Sequence, residues 1–120
     1  MAIIQIQDIP KWLMTVMNNL YEIERKLSAH GDLGNAARNV ERIKEAIAVE
    51  GLFLFYEDPL GQPFKETRTD LEASISGTTT ENLVVAEVIK PIIRCGRREL
   101  SRVVQKGIVV VEGRKQEKAE

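Results

Sequence analysis

Halfway along the chain the apolar positions change period. Ile9, Leu13, Val16, Leu20, Ile23 and Leu27 recur at spacings of 4, 3, 4, 3 and 4, the narrow seam of a coiled-coil-like helix. Asp8, Ile9 and Pro10 predict its start, since Asp can accept from free backbone N–H groups and Pro fits the first turn, and Gly31 after His30 predicts its end. Trp12 and Met17 flank the seam, while Asn18, Glu22, Arg25 and Lys26 occupy the opposite side. A second seam, Leu33, Ala36, Val40, Ile43 and Ile47, predicts a helix from near Asp32 to Gly51. The short connection at residues 29–32 predicts an antiparallel helical hairpin. Two helices alone leave much of this apolar surface wet, so a second copy or the chain's own sheet must cover it. Strict seams favour helical partners, and the expected state is a homodimer closed as a four-helix bundle by Leu13, Val16, Leu20, Ile23, Leu27, Val40, Ile43 and Ile47.

After Gly51 the pattern becomes that of strands and turns. Residues 52–56 form an apolar and aromatic run, and Asp58-Pro59-Leu60-Gly61-Gln62-Pro63 is dense turn chemistry. Residues 71–76, 82–89 and 108–111 read as β-branched strands separated by turns at 77–81 and 95–96. The expected fold class is α+β: a helical hairpin over residues 1–51, a small all-β domain over 52–111, and a charged, disordered tail over 112–120, which lacks apolar anchors.

Composition narrows the function classes. With 120 residues, 43% hydrophobic and 29% charged, the chain has room for one compact domain or two small units. No apolar run approaches the roughly 20 residues of a membrane span, and the first residues lack the basic region and cleavage site of a signal peptide, so a cytoplasmic protein is expected. One cysteine and one histidine point to a reduced chain with no metal and no cofactor. His30, at the end of the first helix, suits the helix dipole better than a catalytic role. Cys95 beside Arg94 and Arg97 could carry a lowered thiol pKa, yet a free cysteine is more often a packing residue. Asp70 and Glu72, two apart on a strand, share a face and could serve acid–base chemistry, a weak signal without a pocket. No phosphate-binding loop is present, so the expectation is a non-enzymatic protein that binds no nucleotide.

Charge is distributed unevenly. Lys90, Arg94, Arg97, Arg98, Arg102 and Lys106 fall within seventeen residues, opposed only by Glu99. Such a cluster either docks something acidic or is a set of solvated strand and turn residues. It contains no aromatics, which argues against nucleic acid as the partner.

The order of these features resembles the GrpE family, nucleotide exchange factors of DnaK-type heat-shock chaperones. Residues 13–20, Leu-Met-Thr-Val-Met-Asn-Asn-Leu, followed by Glu24 and Leu27, are similar to the family's "LLPVLDNLERAL" helix, with Asn18 replacing its acidic residue. Glu50-Gly51-Leu52 occupies its helix-ending Gly-Val, Gly61-Gln62-Pro63-Phe64 looks like its G-x-x-F, and Leu71-Glu72-Ala73 its His-Glu-Ala. Glu87-Val88-Ile89-Lys90-Pro91, then Gly96-Arg97 and Leu100, resemble the stretch that carries its Gly-Arg turn. Each match is short; their order over about a hundred residues carries the resemblance. Lys65-Glu66 replace the family's Asp-Pro, Leu71 its His, and Ile92 or Ile93 its strand aromatic, and its long N-terminal helix has no counterpart. A rival register pairs Gln105-Lys106-Gly107 and Gly113-Arg114 with the same turn, and the first register is preferred because it leaves a complete β-domain.

The resemblance implies a co-chaperone that binds a chaperone's ATPase domain and opens its nucleotide cleft. It implies chaperone contact through Arg97 and Gly96, with Val88, Lys90 and Phe64 as weaker carry-overs. The alternative is a dimeric adaptor that kept the fold and binds another protein or nucleic acid.

Overall fold

The computed structural model describes residues 9–48, 53–97 and 99–114. They form α1 (Lys11–His30), α2 (Ala36–Ile47), β1 (Leu54–Glu57), β2 (Leu71–Ser76), β3 (Leu83–Lys90), β4 (Ile92–Cys95), β5 (Arg102–Gln105) and β6 (Gly107–Gly113). The strands make two three-stranded sheets, ordered β1-β4-β5 and β2-β6-β3, so the fold is α+β. Two compact units result, one from Met1–Tyr56 with Ile93–Val104 and the other from Glu57–Ile92 with Gln105–Glu120. The expected boundary at residue 51 follows the chain, whereas these units are discontinuous in it.

In the first unit, Pro10 precedes α1 without a side-chain cap, and its carbonyl accepts from Leu13 N–H at 3.0 Å. The capping expected of Asp8 lies outside the described residues, as does the stop expected at Gly51. Gly31 N–H closes α1 on the Leu27 carbonyl at 2.9 Å. α2 begins four residues later than expected, because the Asp32 carboxylate reaches forward to accept from Ala36 N–H at 2.6 Å and Ala37 N–H at 3.0 Å. Leu33 thereby falls outside the helix and is fully exposed.

The helical seams do not stay together. Ile9, Leu13, Met17, Leu20 and Val40 form one core with Leu54 of β1 and Ile93 of β4, and Met14, Val16, Ile47, Tyr56, Cys95 and Val104 pack around it. Ile23 faces outward at 42% exposure and Ile43 at 46%. Met17 and Tyr21 take the buried positions instead. Leu13, Leu20 and Val40 are therefore spent on the chain's own sheet, and Val16 and Ile47 are half-buried against it, a correction to the expectation that these residues meet a second copy. Leu27 is half-buried.

A polar knot ties α1, α2 and β1. Glu24 accepts from Lys44 Nζ at 3.0 Å and from the Tyr56 hydroxyl, Lys44 also reaches Glu41 at 3.1 Å, and its ammonium sits 4.6 Å from the Tyr56 ring centroid. Tyr21 meets Tyr56 edge to face at 5.8 Å. Burial works to lower the pKa of Lys44, and the hydrogen bonds and charges of Glu24 and Glu41 outweigh it, so the value stands above that of an ordinary lysine. A raised folded-state pKa gives stability that is complete below the unfolded value, about 10.4, and is lost as pH rises through the folded one. Chemical denaturation between pH 9 and 11.5, about the lysine range, is expected to show a small alkaline loss of stability that Lys44→Met reduces. An unchanged alkaline limb in the variant would contradict this role.

In the second unit β6 is central, parallel to β2 and antiparallel to β3. Gly107, Val109 and Val111 point inward at every second position, and Leu71, Val85, Val88 and Ile92 are buried with them, as are Pro59 and Pro91. On β3 the buried residues Val85 and Val88 are three apart, which simple alternation forbids. The register explains it: Val85 pairs with Val111 but Glu87 with Val110, and Val88 with Val109 but Lys90 with Ile108. Each shift inserts one residue, a β-bulge that resets the phase and leaves Ile89 outside. Residues 61–64 cover the start of β3, with Gly61 N–H on the Val85 carbonyl, Val85 N–H on the Gln62 carbonyl and Phe64 N–H on the Leu83 carbonyl. β6 extends through Glu112 and Gly113, which were expected in the tail, and residues 115–120 lie outside the described residues.

Candidate protein-docking site

Three chain segments converge at one end of the first unit's sheet. Phe53 precedes β1, Gly96 and Arg97 follow β4, and Leu100 and Ser101 lead into β5. Gly96 N–H donates to the Phe53 carbonyl at 3.0 Å, and Leu100 N–H to the Arg97 carbonyl at 2.8 Å. Gly96 sits at φ +119°, where side chains are strained, and a Cβ there would come within 3.1 Å of the Leu100 carbonyl oxygen and the Ser101 Cα. Only glycine lets the chain turn this tightly, and the turn leaves Arg97 exposed to solvent. Among the described residues Arg97 forms no ion pair, which fits a guanidinium available to an outside carboxylate.

The other carry-overs lie in the second unit. Lys90 is exposed at the end of β3, and Phe64 is half-buried at the opposite end, where its N–H donates to the Leu83 carbonyl at 2.8 Å. Val88 is buried in the sheet's core, so its side chain offers no surface to a partner; as a contact residue it is corrected to a packing residue. Arg114, the candidate of the rival register, is not in a loose tail: its N–H lies 3.2 Å from the carbonyls of Glu81 and Asn82, and its guanidinium 3.8 Å from Glu112.

The candidate catalytic groups are placed for structure. Asp70 is held by a two-pronged ion pair with Arg68, Nε and Nη2 each 2.9 Å from a carboxylate oxygen, while Glu72 stands exposed. Burial pushes the Cys95 thiol up, against the opposing pull of the Arg102 charge, so the sulfur is a poor nucleophile at neutral pH. His30 is exposed at the end of α1. Among the described residues no group of three His, Cys, Asp or Glu could hold a metal ion, and no helix is long and apolar enough to cross a membrane.

What sequence reasoning missed is the pair of strands β4 and β5 that frames this turn, and with them the role of Phe53 as its neighbour. Both strands have four residues, and arginines at Arg94 and Arg102 break their apolar pattern. The positive φ of Phe53 had no sequence signal at all. Compared with protein-family models, with curated proteins and with solved structures, the chain gives no match.

Proposed function

We propose that the chain is a GrpE-like co-chaperone of the cytoplasm, a homodimer that promotes ADP release from a DnaK-type heat-shock chaperone. The observation that carries this reading is the Gly96–Arg97 turn. The sequence resemblance puts a chaperone-contacting arginine there, and the glycine-dependent backbone holds that arginine out in solvent. An exchange factor needs no catalytic side chain. It needs preferential affinity for the open state of its partner, because a ligand shifts a conformational equilibrium only by differential binding. An exposed arginine suits that task, adding charge-assisted contacts and electrostatic steering. In this reading the outward Ile23 and Ile43 supply the helical contact between copies, Gly96 and Arg97 of the first unit contact the chaperone, and Lys90 and Phe64 of the second unit make weaker contacts of their own.

The test is release of fluorescent ADP from the DnaK-type chaperone of the same cell. Wild-type protein is expected to accelerate release, and Arg97→Ala to weaken the acceleration by about tenfold or more, as for the loss of a charge-assisted contact of roughly 1.5–3 kcal/mol. Arg114→Ala is expected to leave it unchanged. Loss at Arg114 but not at Arg97 would select the rival register. No acceleration by wild-type protein would overturn the exchange reading in favour of the adaptor.

A further inference from the structure

Three non-glycine residues among those described have positive φ: Asn35, Asn82 and Phe53, at +57°, +52° and +49°. Asparagine adopts this conformation readily, but a bulky aromatic there is a genuine outlier that the surroundings must enforce. Phe53 does not gain a buried position in exchange, since it is 44% exposed. One hydrogen bond ties its carbonyl to Gly96, and the glycine's backbone packs on that of Leu100, which is 83% exposed. Arg97 and Arg102, both exposed, stand on either side of Leu100 in the chain. Of the residues between Arg94 and Arg102, four are arginines and Glu99 is the one acid. Two water-facing apolar side chains are thus gathered at a single sheet end with the exposed Arg97 and Arg102, against the one exposed acid Glu99.

We infer that Phe53 and Leu100 form an apolar ridge that inserts into a partner's apolar depression, with Arg97 and Arg102 gripping carboxylates on its rim. The inference rests on the exchange-factor reading for its partner, the ATPase domain of the chaperone, and adds to it the chemistry of the contact. Exposed aromatic and leucine side chains bordered by arginines have the make-up of an interface centre, where apolar anchors supply affinity and the surrounding charges set orientation and encounter rate. The cationic surplus selects an acidic surface over a second copy of this basic end, because like charges would face each other there.

The experiment measures equilibrium binding of the full chain to the nucleotide-free ATPase domain by fluorescence anisotropy, at two salt concentrations. Leu100→Ser and Phe53→Asn are the apolar variants, the second chosen because asparagine tolerates the positive φ. Each is expected to weaken binding about tenfold or more while leaving the salt dependence as in wild type. Arg102→Gln is expected to flatten the salt dependence. Circular dichroism of the variants establishes that each is folded. If wild type binds and both apolar variants bind equally well, the ridge is overturned while the exchange reading stands. If Leu100→Ser and Phe53→Asn alter the salt dependence as Arg102→Gln does, the division between apolar anchor and charged rim is overturned. If wild type does not bind the domain, both the ridge and the exchange reading fall.

Discussion

Leu20→Asp is expected to unfold the first unit rather than to release a folded monomer. Leu20 lies in the core with Leu13, Met17, Val40, Leu54 and Ile93, all supplied by its own chain. The substitution forfeits a leucine's burial and places a carboxylate where nothing can pair with it, together about 3–5 kcal/mol. That is a large share of the roughly 5–15 kcal/mol by which domains are stable. Ile23→Asp is the informative counterpart. Its side chain faces outward, so the cost to the fold is expected within about 0.5 kcal/mol, and in the proposed dimer it places two charges in the contact between copies. Light scattering with a denaturant titration separates these cases. A folded monomer from Ile23→Asp supports helix-mediated dimerisation, and a monomeric wild type at high micromolar concentration excludes it. A folded Leu20→Asp would contradict the core described above.

Gly113→Ala is the second large effect, and it arises from close approach rather than from an unusual dihedral. Gly113 pairs with Leu83 at the end of β6. A Cβ there would stand 2.5 Å from the Thr79 carbonyl oxygen and 2.7 Å from its Cγ2. Because the nearest atom is backbone, the loop before β3 must move as a whole or the strand end must detach. The expected destabilisation is about 1–3 kcal/mol, the usual range for overpacking. Gly34→Ala is the matched control. No atom lies within 4 Å of its Cβ position, and its φ is not positive. Its loss of unfolded-state freedom is expected to stabilise the chain by about 0.4–1 kcal/mol. Thermal melts of both variants decide the matter: equal midpoints would show that the Thr79 loop yields without cost.

Sequence reasoning was most successful where a pattern is long or chemically distinctive. β2 spans Leu71–Ser76 as expected, and the seams of α1 and α2 identified helices because each repeats over several turns. It erred over what those seams contact. A 4-3 spacing cannot by itself distinguish a helix that meets helices from one that lies on a sheet, and here the decisive partners, Leu54 and Ile93, come from strands of four residues each. β4 and β5 were too short and too rich in arginine to show a period. At the candidate site, Gly96 and Arg97 were singled out through resemblance alone; the tight backbone explains the glycine, and the contact made by Arg97 is the proposal that the ADP-release assay tests. Val88 was named only as a carry-over of the resemblance; the two bulges of β3 turn it inward, and bulges follow from pairing register, which neither alignment nor sequence spacing encodes.

The interleaving of the two units carries a consequence for synthesis and for dissection of the protein. The helices emerge first, yet the sheet they cover remains incomplete until β5 has been made, after β2 and β3 of the other unit. During translation the apolar face of α1 therefore has β1 but waits for β4 and β5 until β2 and β3 have been made, an interval in which it depends on transient cover. Truncation cannot isolate either half. A fragment ending at Tyr56 carries helices without β4 and β5, and one beginning at Glu57 carries those two strands without the helices that bury them. Each fragment exposes surface that the intact chain hides, so functions are better assigned in this protein by point substitution than by deletion.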